Sequence, residues 1–436
     1  MQSWKRSLAK LGTFACASSL ALLSACSSSS GTGNTGTSGK YKAPDPSVNA
    51  TLTVSNWGNP GDEKLYGAAI ARFNKKYPNV KVKDNFTEVV NWGDYINKLQ
   101  TEIAAGNAPD VINIATEGVE YGLSKNLYLP LTNYIKQDAS VQSLIKDVNP
   151  ALMQGFTKDG QTYLLPNNWN TMLVYYNPGM FAKAGISRPA DNSWTWQDFL
   201  SIAQKLTTGS GASKVYGFAI PTYTFGYMPW FYTNNASTAS ADLTTPTLDS
   251  PGAVESIQFL ADLVFKYHVA PNPTGGNPTQ LFQAGKAAMT ASPANLAATL
   301  AADPSLKYDV LPMPSNKSNT NVFGAAGFAI YKGSKNQDLS WELLKALASQ
   351  ETQAAWAKSG TSNPTTLTAE NSADFKANKP HPALFYNQID HAKPTAAPTF
   401  YATLDTAFQR AMSSVWGGAS AASALKTANN EINSQK

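Results

Sequence analysis

The sequence predicts an α/β fold with more than one lobe, on three observations. At 436 residues the chain is longer than one ordinary core fills. From residue 51 onward, segments of period two alternate with segments of helical period in the order βαβαβ, which argues a parallel sheet with helices on its faces. The apolar fraction of 42% is ample for a folded core, while charged residues are only 14%, well under the usual quarter or so.

The N-terminus is an address rather than part of the fold. Lys5, Arg6 and Lys10 precede an apolar stretch from Leu11 to Leu23. A membrane span needs roughly 20 apolar residues, so residues 1–25 have the form of a secretory signal. Leu23-Ser24-Ala25-Cys26 resembles the bacterial lipobox, which implies that Cys26 becomes the mature terminus and carries the lipid. Cys16 leaves with the signal, so the folded body has no thiol. That excludes thiol enzymes, zinc ribbons and iron–sulfur sites. Residues 26–47 are Ser/Gly/Thr-rich and form a flexible tether with a mean reach of about 25 Å. The formal charge of +5 belongs mostly to the signal. The mature chain is close to neutral, so it carries no nucleic-acid footprint.

The folded part begins near Val48. Thr51 to Ser55 alternates as a strand. Tyr66, Ile70, Phe73 and Tyr77 then fall on one helix face. Val80 to Lys83 alternates again. Trp92, Tyr95, Ile96, Leu99 and Ile103 give a second helix stripe that Gly106 ends, with Pro109 beyond. Asp110 to Ile114 is a third strand. Ligands of such sheets bind beyond the carboxyl ends of strands, which directs attention to Trp57-Gly58-Asn59 and Thr116-Glu117. Leu173 to Tyr176 and Val215 to Ile220 are predicted strands. Thr195 to Asp198 resembles a capping box opening a helix through Leu206. Val254 to Tyr267 carries a helix stripe, Phe323 to Tyr331 is strand-like, and 341–357 and 401–433 are helical. Tyr223 to Tyr232 (YTFGYMPWFY) is too aromatic, with Gly and Pro, for a regular strand or helix.

Ala104 to Val111 (AAGNAPDV), Leu127 to Leu131, Tyr163 to Pro166 with Trp169-Asn170, Leu173 to Asn177, Phe181 to Ile186, Thr195 to Phe199 and Phe282 to Met289 stand in an order and spacing of their own. On these segments the chain resembles the family 1 extracellular solute-binding proteins of bacterial ABC importers, the sugar and maltodextrin branch in particular. The resemblance implies an α/β fold of the two-lobed periplasmic-binding-protein type, class II-like. Each lobe is a βαβ sheet flanked by helices, and the chain crosses a hinge three times. The crossings are expected near 169–172, 322–326 and 360–366. Lobe one is then 48–169 with 327–361, and lobe two 173–321 with 367–436. It also implies a monomer that closes on a carbohydrate and delivers it to a membrane permease, without a cofactor.

A pyranose presents an apolar C–H face and a hydroxyl rim, which suits aromatic platforms edged by amides and carboxylates. Trp57 and Asn59 lie in the loop after the first strand; Asp62 in the same loop is better placed as a helix N-cap. Thr116 and Glu117 follow the third strand, Glu117 being either a ligand carboxylate or a charge in a helix's first turn. Trp169 and Asn170 lie at the first crossing. Tyr223, Trp230 and Tyr232 come from the aromatic run, with Trp230 the foremost platform candidate. Phe400 and Tyr401 match an aromatic wall. Ser292 to Asn295 lacks the Trp of many relatives, leaving Asn295 to face the cleft. Gly327 is expected at the hinge, where close approach is useful. Trp92, Trp194, Trp196, Trp341, Trp356 and Trp416 fit as packing residues.

Other functions find less support. A glycoside hydrolase needs two acids flanking the bond, and the candidate loops offer mainly Glu117 and Asp62. His268, His381 and His391 are scattered, with no zinc-hydrolase spacing. No Gly-x-Ser-x-Gly elbow occurs. A glycerol phosphate would call for a basic cleft and a polyamine for several acids, and the loops carry little charge of either sign.

Overall fold

The computed structural model describes residues 41–88, 92–191, 193–377 and 379–436. The signal, Cys26 and the tether up to residue 40 lie outside the described residues. The chain opens with β1 (Ala50–Gly58), α1 (Pro60–Lys76), β2 (Val80–Glu88), α2 (Trp92–Ala104), β3 (Val111–Ala115) and α3 (Thr116–Ser124). The three strands pair in parallel in the order β2-β1-β3, as the βαβαβ pattern predicts. Leu52, Val54, Tyr66, Phe73 and Tyr77 are buried in one cluster, so the period-two and helical stripes meet face to face.

β4 (Leu165–Thr171) and β5 (Leu173–Tyr176) are separated only by Met172, yet they belong to different sheets. Next come α4 (Trp196–Leu206), α5 (Thr224–Thr233), α6 (Pro251–Phe265), β6 (Met289–Ser292), α7 (Ala294–Ala301) and β7 (Asp309–Leu311). They build a second lobe around β5. The last part holds β8 (Asn321–Ile330), α8 (Gln337–Ala348), α9 (Gln350–Ser359), β9 (Asn363–Pro364), β10 (Ala392–Pro394), α10 (Tyr401–Trp416) and α11 (Ala421–Gln435). β8 runs back into the first sheet, antiparallel to β3 on one side and to β4 on the other. At the waist β8, β4 and β9 lie side by side: Ala325 pairs with Trp169, and Trp169 with Asn363.

The second lobe differs from expectation in detail. Its named strands, β6-β5-β7, pair antiparallel. Val215 to Ile220 joins them only by single parallel bridges, Tyr216 to Ala287 and Ala219 to Thr290. Gly217 within it is pressed on α4, where a Cβ would lie 2.1 Å from the Ala203 carbonyl oxygen. The capping box at Thr195 is present, with Thr195 Oγ1 and Asp198 bonded reciprocally.

The aromatic run at Tyr223 to Tyr232 corrects the sequence reading, because most of it is the regular helix α5. Almost every residue of α5 is buried. A helix enclosed on all sides has no polar face and so no periodicity to read. Trp230 lies at its centre, fully buried, and does not reach a cleft. Its ring packs among Trp196, Phe199, Phe218 and Phe259 at centroid distances of 5.3–6.1 Å. Gly327 is also a packing residue, at a register shift in β8, where a Cβ would lie 2.8 Å from the Leu165 carbonyl oxygen.

Trp230→Ala removes the centre of this ring cluster. The expected loss is about 3–5 kcal/mol of unfolding free energy, read as a lower urea midpoint with an unchanged slope.

Candidate ligand-binding site

The ends of β1 and β3, the waist strands and the first turns of α2, α5, α7 and α10 converge on one cavity of about 380 Å³. The wall from the first lobe carries Trp57 and Trp92, set edge to face at 4.4 Å between ring centroids. The second lobe supplies Tyr223, Phe225 and Tyr401. Asn59, Asn168, Asn170, Ser292, Asn295, Thr361, Ser362 and Gln409 edge the space with amides and hydroxyls. Among the described residues, three carboxyls line it, Asp62, Glu117 and Asp405, and no Lys, Arg or His does.

Each carboxyl sits at a helix N-terminus, where unpaired amides and the helix dipole favour negative charge. Asn59 is the N-cap of α1, accepting from the Gly61 and Asp62 amides, and Asp62 completes a capping box by accepting from Asn59 N at 3.0 Å. Asp62 is therefore the third residue of the helix, and Asn59, three residues before it, takes the N-cap role that the sequence reading assigned to Asp62. The other Asp62 oxygen accepts from Thr361 Oγ1 at 2.9 Å. Asp405 on α10 accepts from the Gly93 amide in the first turn of α2 at 3.2 Å, and from Thr224 Oγ1. Burial raises the carboxyls of Asp62 and Asp405, and these hydrogen bonds offset part of the rise.

Glu117 lies in the first turn of α3, 3% exposed. Burial pushes its carboxyl up to about 7, partly offset by its own backbone amide and the Thr395 hydroxyl. Its Oε2 is buried and makes no hydrogen bond among the described residues, and the same is true of Trp57 Nε1. An acceptor and a donor in residues that line the cavity are thus without a protein partner, though neither atom is accessible to solvent. Buried polar atoms are nearly always paired, which singles out these two among the residues that line the cavity.

Trp57, Asn59, Glu117, Asn170, Tyr223 and Asn295 are among the lining residues; Thr116, Trp169, Trp230, Tyr232, Gly327 and Phe400 are not. Thr116 Oγ1 instead bonds both the carbonyl and the amide of Ala325, fastening α3 to β8. Trp169 is 1% exposed and donates Nε1 to Pro364 O and Glu370 Oε1. Tyr232 is held by Pro394 O and Ala396 N. Phe400 packs on the second lobe's core, one residue short of Tyr401, which does line the cavity. Asn170 has partners of its own: it donates to Ser362 Oγ at 3.0 Å and accepts from Ala294 N at 3.3 Å.

Sequence reasoning missed Trp92, Phe225, Asp405 and Gln409. The position of Trp92 just after β2 was a usable signal, because it is again the carboxyl end of a strand. Tyr401, Asp405 and Gln409 stand four residues apart, a row that crosses the apolar stripe of α10.

A carboxyl raised by its folded surroundings favours folding in the protonated form, so its contribution is full below the unfolded value and is lost as pH rises toward 7. Glu117→Gln removes that loss. The variant should match the wild type in melting temperature at pH 4.5 and exceed it at pH 8. The gain should approach about 3 kcal/mol if nothing else relaxes; an equal difference at both pH values would contradict the burial of Glu117.

Among solved structures, the fold resembles an ABC substrate-binding protein from Listeria monocytogenes in complex with cycloalternan, at a TM-score of 0.79 and 24% identity, covering 89% of this chain and 99% of that one. A maltose-bound protein of T. maritima aligns at a TM-score of 0.75 and 19% identity, covering 89% of this chain and all of that one. By sequence, a binding protein of Brucella abortus (strain 2308) is 26% identical over 279 residues, 61% of this chain. The match spans 65% of that relative's length. The sn-glycerol-3-phosphate-binding periplasmic protein of Escherichia coli (strain K12) is 25% identical over 334 residues, 70% of this chain and 73% of that one. Residues 68–383 match the profile of the bacterial extracellular solute-binding proteins, and the chain belongs to that family.

Proposed function

We propose that the protein captures an uncharged carbohydrate, a di- or oligosaccharide, between its two lobes and delivers it to an ABC permease without altering it. In this reading residues 1–25 are removed and a lipid on Cys26 holds the protein at the outer face of the cell membrane. The three waist segments are the hinge, and the protein acts as a monomer. The observation that carries the proposal is the cavity wall. Rings face the space from both lobes, amides and hydroxyls edge it, and among the described residues no cation lines it. Solved neighbours described as bound to cycloalternan, maltose and mannobiose support the same class.

A phosphate ester is the second reading, because a relative is named for sn-glycerol-3-phosphate. The wall disfavours it: a buried phosphate wants Arg or Lys beside it, and three carboxyls stand there instead. Those carboxyls do not make a polyamine site either, since Asp62 and Asp405 already answer helix N-termini. Hydrolysis would need a second acid free to act beside Glu117. Asp62 and Asp405 each have both oxygens bonded within the protein.

Calorimetric titration of the full chain with maltose, maltotriose, mannobiose and sn-glycerol-3-phosphate, followed by product analysis, tests the proposal. Binding of at least one sugar with no cleavage is expected. Binding of the phosphate alone, or release of smaller sugars, would overturn it. Trp57→Ala should weaken the bound sugar about tenfold or more, since it removes a ring face from the cavity wall.

A further inference from the structure

Asp405 lines the cavity, so a ligand contact is the first role that suggests itself. Its bonding argues otherwise. It projects from the second turn of α10, a helix whose buried residues Leu404, Phe408, Met412 and Val415 belong to the second lobe's core. One carboxylate oxygen reaches across to the first lobe and accepts from the Gly93 amide of α2 at 3.2 Å. The other accepts from Thr224 Oγ1 at the start of α5, in its own lobe. The Gln409 amide, one turn along α10, lies 2.9 Å from that same hydroxyl. The contact is closed off from water: Asp405 is 3% exposed, and Tyr401, one turn earlier and 2% exposed, shares an apolar cluster with Tyr95 and Ile96 of α2.

Glu117 keeps one buried oxygen without a protein partner, whereas both oxygens of Asp405 are committed to protein donors, one from each lobe. An anion facing the first turn of a 13-residue helix is favourably placed by the dipole as well as by the hydrogen bond. That interaction exists only while the two lobes are together.

We propose that Asp405 is a positioning residue, a latch that holds the lobes closed by capping α2 of one lobe from α10 of the other. The proposal rests on the hinge-closing reading of the preceding section. When a ligand needs a form that is only partly populated, its apparent affinity falls by the populated fraction, whatever the ligand is. Loss of a latch therefore weakens every ligand by one common factor. Loss of a ligand contact changes the ranking of ligands, because each sugar places different hydroxyls at that point.

The test titrates the full chain and its Asp405→Ala and Asp405→Asn variants with maltotriose and mannobiose, and records small-angle scattering with and without each sugar. Asp405→Ala should weaken both sugars by the same factor, about tenfold, and require correspondingly more sugar to reach the compact form. Asp405→Asn keeps an oxygen acceptor in the same shape and should fall between; it also serves if the alanine variant fails to fold. A change in the ratio of the two affinities would make Asp405 a ligand contact and overturn the latch. So would unchanged affinities in both variants. If the wild type scatters identically with and without both sugars, the hinge reading itself falls and the latch with it, a result distinct from either of those.

Discussion

Main-chain pairing at the waist is the constraint on which the rest of the molecule depends. β4 must leave one sheet and feed β5 of another across the single residue Met172. It can do so because β8 and β9 flank it and satisfy its backbone while it crosses. Side chains reinforce the ladder from beneath. Tyr66 of α1 accepts from Asn113 and Asn167, Trp356 of α9 donates to Asn167, and Gln353 ties Asn167 to Thr365 beyond β9. This buried polar network joins elements far apart in sequence, and its shared hydrogen bonds favour one arrangement over near alternatives.

From that waist the position of the cavity follows. Strands of the first sheet end toward it, so the helices that follow begin there and present their amide ends. Seen this way, the carboxyls of Asp62, Glu117 and Asp405 are first of all partners for helix starts. Asn170 plays the neutral version of the same part, offering its oxygen to the Ala294 amide at the head of α7 while its nitrogen holds Ser362. Among the described residues that line the cavity, Glu117 Oε2 and Trp57 Nε1 are the buried side-chain atoms left without a protein partner.

The first lobe was legible because its code is local: alternation in β1, the stripe of α1 and the Gly106 stop each lie within a dozen or so residues. The second lobe was less so. α5 has no exposed face, and the segment around Gly217 stays extended through contact with α4 rather than through a ladder. At the site, the loops after β1 and β3 could be found from strand polarity alone, which is why Trp57, Asn59 and Glu117 were visible. Trp169 and Trp230 misled for one reason: an aromatic ring next to polar or Pro/Gly residues looks exposed in one dimension. Only the assembled packing shows Trp169 donating to Glu370 and Trp230 enclosed by four other rings. Asp405 was out of reach because its partner Gly93 is separated from it by most of the chain.

Setting carboxyls against helix starts has a consequence for the medium in which the protein works. Positive helix ends lie within a few ångströms of these carboxyls and offset part of their charge, so the field beyond the cavity's mouth is weakened. Such an entrance gives a charged solute little long-range guidance and leaves dissolved salt little to screen. Capture of a neutral solute there depends on collision and fit alone, and proceeds at the same strength in dilute water and in brine.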